Sequence, residues 1–343
     1  MSAVSRLRIF RSLDEAREGF APSAVTIGNF DGVHAGHREL MRRTAAMAQR
    51  LGVKPSALTF HPHPATVVAP ERVPRLLSTP DERCALMAAE GIEQVLIMPF
   101  DDTIAHLSPE EFFREVLAVT LGAKSVIVGE NFRFGHLQSG SVADLRRLAE
   151  QAGIAADIVP LLQCRGVRVS SSEIRRLLAE GNVSRANRLL ERPYSIAGNV
   201  VAGAGRGARE VVPTLNLETQ SLEDSTSALP QSGVYVTRTE DLDADRRWNS
   251  ITNIGYRPTF DGKHLTIETY LLGPLGSTSP KRIRVEFLRR LRPEKRFGSA
   301  AELRAQIAED VAKARAFFAR QEKFRPALLS RPALRRTSAE TPR

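Results

Sequence analysis

The chain has 343 residues, of which 42% are hydrophobic and 26% charged, and 49 Lys and Arg outweigh 39 Asp and Glu to give a net charge of +10. That length exceeds what one hydrophobic core usually fills, about 250–300 residues, so two domains are expected. The ordinary composition excludes a fibrous or wholly disordered chain, no run of roughly 18 apolar residues suggests a membrane span, and the only cysteines, Cys84 and Cys164, stand in unrelated segments and give no disulfide framework.

The first residues lack the apolar core and cleavage site of a secretory signal, so a cytoplasmic protein is expected. The excess positive charge suits nucleic acid, an anionic membrane surface or phosphorylated small molecules. Part of it belongs to the segment from Arg325 onward, which carries five arginines and one glutamate, is rich in proline and reads as a disordered basic tail. The remaining basic residues are scattered and match no nucleic-acid-binding motif, so neither nucleic acid nor membrane is expected as a partner.

In chain order, the runs Ala24–Phe30, Pro55–Phe60, Gln94–Phe100, Ser125–Phe132 and Ala155–Leu161 are short, apolar and β-branched, as buried parallel strands are. Helical patterns lie between them. One spans Arg38–Leu51; others open at Thr79-Pro80-Asp81-Glu82 and at Ser108-Pro109-Glu110-Glu111, where an N-cap, a proline and acidic first-turn residues coincide. Strand alternating with helix predicts an α/β domain with ligands at the carboxyl ends of its strands. After Pro193 the runs become spaced strands separated by Gly, Pro, Ser and Asp, and no helical pattern returns until Ala300–Phe318. This predicts a small antiparallel β-barrel with a terminal helix. The predicted organisation is residues 1–190, 191–322 and a tail at 323–343.

The segment "TIGNFDGVHAGHREL" (Thr26–Leu40) joins the first of these strands to a helix starting near His34. Free amides at a helix start attract anions, and Gly28, Gly32 and Gly36 would let a phosphate chain approach the backbone. His34 and His37 could stabilise charge on a transferring phosphate. A zinc site would need further ligands at recognisable spacing; a plain structural turn is the third reading. Farther along, Ser170 and Glu173 have capping-box spacing, and "GENFRFG" (Gly129–Gly135) carries two phenylalanines that suit either a core or a flat ligand. Thr214 and Asn216 lie two apart on an extended segment and can share one face. Glu268 alternates with apolar neighbours, as an inward-facing barrel carboxylate or a solvated residue would.

These motifs, with "TFHPHP" (Thr59–Pro64), "VSSSEIRRLLAEGNV" (Val169–Val183), "PTLNL" (Pro213–Leu217), "NIGYRPTF" (Asn253–Phe260) and "VEFLRRLRPEKRF" (Val285–Phe297), occur in the order found in the bacterial bifunctional riboflavin kinase/FMN adenylyltransferases, and the chain resembles that family over roughly residues 8–320. The resemblance implies a Rossmann-like HxGH nucleotidyltransferase domain followed by a small antiparallel riboflavin kinase barrel with a C-terminal helix. It implies two reactions: phosphorylation of riboflavin to FMN by ATP, and adenylylation of FMN to FAD with release of pyrophosphate. His34 and His37 would be catalytic in the second; Gly28, Asn29, Phe30, Gly36, Ser171, Ser172 and Arg175 would bind its ATP; Asn131, Phe134 and Phe60 would bind its flavin. In the kinase domain Glu268 would be the base, while Thr214 and Asn216 would hold the nucleotide and Mg²⁺. Family members usually carry Asp at the position of Asn131, and their loops differ from "EVV" (Glu210–Val212) and from Gly273–Arg282. Those loop changes motivate an alternative, an FAD synthetase whose barrel only binds flavin. The expected partners are the small-molecule substrates; nothing in the sequence indicates an oligomeric state.

Overall fold

A computed structural model describes residues 7–201, 214–219, 227–259, 262–276 and 278–329. The chain divides into two compact units, one of residues 1–192 with 221–230 and the other of residues 193–220 with 231–343.

The first unit is built on a six-stranded sheet, all of whose neighbouring strands are parallel. In chain order the strands are β1 (Arg8–Phe10), β2 (Ser23–Ile27), β3 (Lys54–His61), β4 (Gln94–Pro99), β5 (Ala123–Gly129) and β6 (Ala155–Val159), and they lie in the order β1-β4-β3-β2-β5-β6. Side chains on the pleated strands alternate between two apolar clusters. Val25, Ile27, Leu58, Leu96, Met98, Val126 and Val128 enter one, while Ala24, Ala57, Val95, Ile97, Ile127 and Val159 enter the other. Both faces are therefore apolar, which is why the strands read as continuous hydrophobic runs and why helices cover both sides. The helix Ala35–Leu51 covers the second face through Leu40, Met41 and Ala48. The segment Phe112–Thr120, wound as a π-helix, and the helix Val142–Gln151 cover the first. β1, which the sequence reading does not include, pairs only with β4, at the sheet edge.

From β2 the chain moves outward through β3 and β4 on one side, then returns to β5 and β6 on the other. The strand order thus reverses between β2 and β5, and a crevice opens at their carboxyl ends. The loops after those two strands begin at Gly28 and Glu130.

The second unit is a closed antiparallel barrel of six strands: β9 (Tyr194–Val201), β10 (Leu215–Leu217), β11 (Gly233–Asp241), β12 (Arg247–Thr259), β13 (Gly262–Leu271) and β14 (Arg282–Arg292). Their order is β10-β13-β12-β11-β14-β9, with β9 closing onto β10. A two-stranded hairpin, β7 (Gln163–Cys164) with β8 (Val167–Arg168), precedes the barrel in the chain. The barrel interior is filled. Tyr235 packs edge-on to Phe287 at 5.4 Å between ring centroids. Thr237, Thr239, Ser250, Thr252 and Thr269 share buried hydroxyl hydrogen bonds of 2.8–2.9 Å, which satisfies their polar atoms inside a packed core. On the outside, Val234, Val236, Ile251 and Leu288 pack against Ala314 and Phe318 of the terminal helix Ala300–Leu329. That helix runs to Leu329, beyond residue 323 where the sequence reading begins its tail; residues 330–343, like Glu210–Val212, lie outside the described residues. The altered loop Gly273–Arg282 is tied down where it is described: Trp248 Nε1 donates to the Pro274 carbonyl at 2.9 Å, and Arg246 Nη1 donates to that of Thr278 at 2.9 Å.

Candidate active sites

At the reversal of strand order lies a cleft of about 650 Å³. Gly28, Asn29, Phe30, His34, Gly36 and His37 line it from the loop and helix start after β2, and Asn131 and Phe134 from the loop after β5. Phe60, at the end of β3, also lines it. The sheet thus brings together three groups of residues that are far apart in sequence.

The turn leading into the helix is unusually constrained. Phe30, Gly32 and Val33 all have positive φ, at 47°, 76° and 36°. For a β-branched valine this is a true outlier, and such strain, about 1–3 kcal/mol, persists only where surrounding contacts hold it. Those contacts are present. Gly32 N–H donates to Ser78 Oγ at 2.9 Å, Ser171 Oγ to the Asp31 carbonyl at 2.9 Å, and Thr59 Oγ1 to the Asn29 carbonyl at 3.0 Å. Arg192 Nη2 and Nη1 donate to the carbonyls of Gly32 and Val33 at 2.7 and 3.1 Å. Only glycine fits at residue 32, since a Cβ there would come within 2.9 Å of Leu77 in addition to the backbone cost.

Asp31, in the middle of this turn, is buried. Its carboxylate accepts the amide N–H groups of Leu77 and Ser78 at 2.9 and 3.1 Å and meets Arg175 Nη2 at 2.5 Å, while Arg83 Nη2 stands 4.0 Å away. A buried carboxylate with this many donors has its desolvation offset by charge-assisted bonds.

His34 is the N-cap of the helix Ala35–Leu51, its Nδ1 accepting the His37 amide N–H at 3.3 Å. The neutral ring therefore carries its proton on Nε2. The His34 and His37 rings stack with centroids 3.6 Å apart, and Phe30 meets His37 edge-on at 5.2 Å. A Cβ on Gly36 would lie 3.2 Å from the His34 ring, so this glycine makes room for the stack. Burial pushes the His34 pKa down to about 4, helped by the positive charges of Arg192 and Arg175. Burial likewise holds His37 well below 6.5, with His34, Arg83 and Arg192 adding to it. His37 keeps an edge on the cleft, but its Nδ1 is buried with no hydrogen-bond partner among the described residues. At neutral pH both rings are thus uncharged, and His34 is left with Nε2–H as its donor.

His63 stands next to Asn29. Its Nδ1 accepts the Ala65 amide N–H at 3.1 Å, so its proton sits on Nε2, 3.2 Å from the Asn29 side-chain amide. Asn29 must then turn its oxygen toward the ring.

In the second unit, a cleft of about 270 Å³ lies on the outside of the barrel, lined by Thr214 just before β10, by Asn253, Glu268 and Tyr270 from the strands and by Leu303, Ile307 and Asp310 from the terminal helix. Glu268 is half-buried; its strand neighbours Ile267 and Thr269 are fully buried in the filled interior. It therefore faces the outer cleft and not, as an inward carboxylate would, the centre of the barrel. Barrel register sets Asn216 and Asn253 directly across from it on the two adjoining strands. Asn216 Nδ2 donates to the Thr214 carbonyl at 3.3 Å, which leaves Oδ1 as the amide's ligand atom. Arg292 fixes the helix against this end of the barrel through Asp310, at 2.8 Å.

Among the described residues no three His, Cys, Asp or Glu side chains converge as a metal cage. One threonine hydroxyl and one amide oxygen beside a single carboxylate form a hard, oxygen-only donor set. That fits Mg²⁺, which keeps its waters and takes most of its charge compensation from substrate phosphates.

Three residues expected in the first cleft do not line it. Ser171 and Arg175 are turned onto Asp31, Arg175 also donating to the Arg75 carbonyl at 2.6 Å, and Ser172 is exposed. Only half of the expected capping box forms: Ser170 Oγ accepts the Glu173 amide at 3.2 Å, but the Glu173 carboxylate turns to Arg176 at 2.6 Å. Sequence reasoning missed Asp31, Arg83, Arg192 and His63 in the first unit and Asn253, Arg292 and Asp310 in the second. Asp31 lies inside a quoted motif, where a carboxylate between Phe and Gly signals a turn; Arg192 carries no local signal.

Similarity to known proteins follows the same division. A family model described as FAD synthetase matches residues 17–173, and one described as riboflavin kinase matches residues 190–318. A bifunctional riboflavin kinase/FMN adenylyltransferase of Pseudomonas fluorescens is 34% identical over 316 residues, covering 91% of this chain and 98% of that protein. The protein of the same name from Escherichia coli K12 is 33% identical over 294 residues, covering 86% and 92%. A crystal structure from Streptococcus pneumoniae, described as a macrolide-efflux protein, is 27% identical with a TM-score of 0.80 and covers 90% of this chain and 98% of its own. Among the described residues of the present chain no helix is long and apolar enough to cross a membrane.

Proposed function

The chain belongs to the bifunctional riboflavin kinase/FMN adenylyltransferase family, and from that premise we propose which of its residues carry each of the two reactions. It phosphorylates riboflavin to FMN and adenylylates FMN to FAD, with ATP as donor in both.

Adenylyl transfer is assigned to the cleft of the first unit. The FMN phosphate attacks the α-phosphorus of ATP, a new P–O bond forms, and pyrophosphate leaves with the electron pair of the broken P–O bond. Gly28, Asn29, Phe30 and Gly36 form the hollow for the nucleotide at the helix start, where amide N–H groups and the helix dipole favour its negative charge. His34 Nε2–H and the His37 ring donate to the phosphate oxygens on which charge develops; being neutral beforehand, they are not already engaged as cations with other anions. Phe60, Asn131 and Phe134 take the flavin ring, two apolar faces and one polar edge. Asn131 offers an N–H as well as an oxygen where relatives usually present an acceptor carboxylate. Ser171, Ser172 and Arg175 complete the phosphate site, Arg175 by leaving Asp31 for the nucleotide. The observation that carries this assignment is the convergence of nine of the named side chains and backbone positions on one cleft at the strand-order reversal.

Riboflavin phosphorylation is assigned to the outer cleft of the barrel. The Glu268 carboxylate accepts the proton of the riboflavin 5′-hydroxyl as that oxygen attacks the γ-phosphorus and ADP leaves. Thr214 and Asn216 hold the nucleotide, and their oxygens would hold Mg²⁺, which neutralises phosphate charge when bound. Supporting this is the presence of Thr214 and Glu268 in one cleft, with Asn216 opposite Glu268 in register.

The assignment is tested by two variants of the whole chain. His37→Ala is expected to lose FAD formation and keep FMN formation, whereas Glu268→Gln should lose FMN formation and still convert supplied FMN to FAD. Losing both activities together in either variant would refute separate sites.

A further inference from the structure

Arg192 ends the main segment of the first unit, residues 1–192, and belongs to none of the nucleotide or flavin contacts assigned above. We propose that Arg192 is a positioning residue for adenylyl transfer, its guanidinium gripping the Gly32 and Val33 carbonyls so that His34 and the amide-lined helix start face the nucleotide.

The geometry is specific. The two carbonyls belong to consecutive residues immediately before the N-cap, and both residues have positive φ. The guanidinium places one N–H on each, at 2.7 and 3.1 Å, a two-pronged match that a point-like ammonium cannot reproduce. Without that grip, nothing described bonds the Val33 carbonyl, and the valine is free to relax toward an ordinary backbone conformation. Relaxation there would swing the His34 ring, the helix's first amides and the stacked His37 together. Asp31 anchors the same turn through the amides of Leu77 and Ser78, so the turn is held by an acidic residue as well as a basic one.

The guanidinium also acts through space. The charged groups acting on His34 are Arg192 and Arg175, and those acting on His37 are Arg83 and Arg192; the two imidazoles stack on each other, and the Asp31 carboxylate is paired with Arg83 and Arg175. Arg192 lowers the affinity of both imidazoles for protons. Its removal should therefore let them protonate at higher pH, in addition to loosening the turn.

This inference rests on assigning His34 and His37 to adenylyl transfer. Its test uses Arg192→Gln and Arg192→Lys in the full chain, with His37→Ala alongside. In Arg192→Gln, kcat for FAD formation from FMN should fall about tenfold or more, as small misplacements of reacting groups do, and KM for ATP should rise, because the helix's first amides move with the His34 ring. The acid limb of its pH profile should move to higher pH, while riboflavin phosphorylation keeps its rate. Arg192→Lys should return the acid limb to its original position, because the charge is restored, and recover only part of kcat, because one prong is missing. Wild-type kcat and an unmoved acid limb in Arg192→Gln would overturn the proposal, and so would equal losses of both activities in both variants, the mark of a purely structural residue. An active His37→Ala would sink the underlying site assignment; an inactive His37→Ala with a normal Arg192→Gln would sink the grip alone.

Discussion

Single residues at the first site are set by burial more than by charge count. His34 caps its helix from inside the molecule, and burial takes its pKa from 6.5 down to about 4. Between those two values the unfolded chain binds a proton that the folded chain does not. Stability is therefore complete above pH 6.5, falls as pH drops through that window, and levels off below about 4; the loss attributable to His34 amounts to about 3 kcal/mol. Measuring the urea midpoint against pH in the wild type and in His34→Asn, which can still cap the helix, isolates this contribution. The wild type should lose stability more steeply than the variant from pH 6.5 to pH 4, and parallel curves would contradict a buried neutral imidazole. The same burial explains a limit of sequence reading. Two histidines after a glycine-rich turn are visible in the sequence as a candidate pair; their uncharged state depends on burial and on Arg83, Arg175 and Arg192, which are brought in by the fold.

Elements were legible to the extent that their signals are local. Strands β2 to β6 read as apolar runs because both of their faces are covered, and the helices that follow Thr79 and Ser108 open at the residues their caps announce, each with a full capping box. The helix Val142–Gln151 has the same device at Ser141 and Asp144, and it buries Leu145, Leu148 and Ala149 against the sheet. Ser141→Ala removes the acceptor for the Asp144 amide and should cost about 1 kcal/mol of stability. A thermal or denaturant unfolding curve checks this, and no change in stability would mean that the box is formed but contributes nothing. Elements with non-local causes escaped notice. Strand β1 is three residues long and exists because β4 offers an edge. The helix continues to Leu329, past residue 323, where a composition rich in arginine and proline predicts a disordered tail.

At the scale of the whole molecule, two units hold two clefts with no residue in common. If each site works alone, chemistry lost in one chain can be supplied by another. A mixture of His37→Ala and Glu268→Gln proteins, given riboflavin, ATP and Mg²⁺, should accumulate FMN from the first and then FAD from the second, after a lag that shortens when FMN is added. Complete absence of FAD from the mixture would show that the sites cannot exchange FMN through solution. The sequence by itself determined the two-domain order, the α/β and β-barrel classes and the family, and it named nine of the positions that line the first cleft, because strand and helix periodicity and glycine-rich turns are written in neighbouring residues. Tertiary structure alone decided which way Glu268 faces, since alternation gives two faces and only the packed interior says which is full. It also decided that Arg175 and Ser171 rest on Asp31, and that Arg192 reaches back 160 positions to a strained turn. Such contacts arise from how distant segments meet in space, and no local pattern of residue types encodes them.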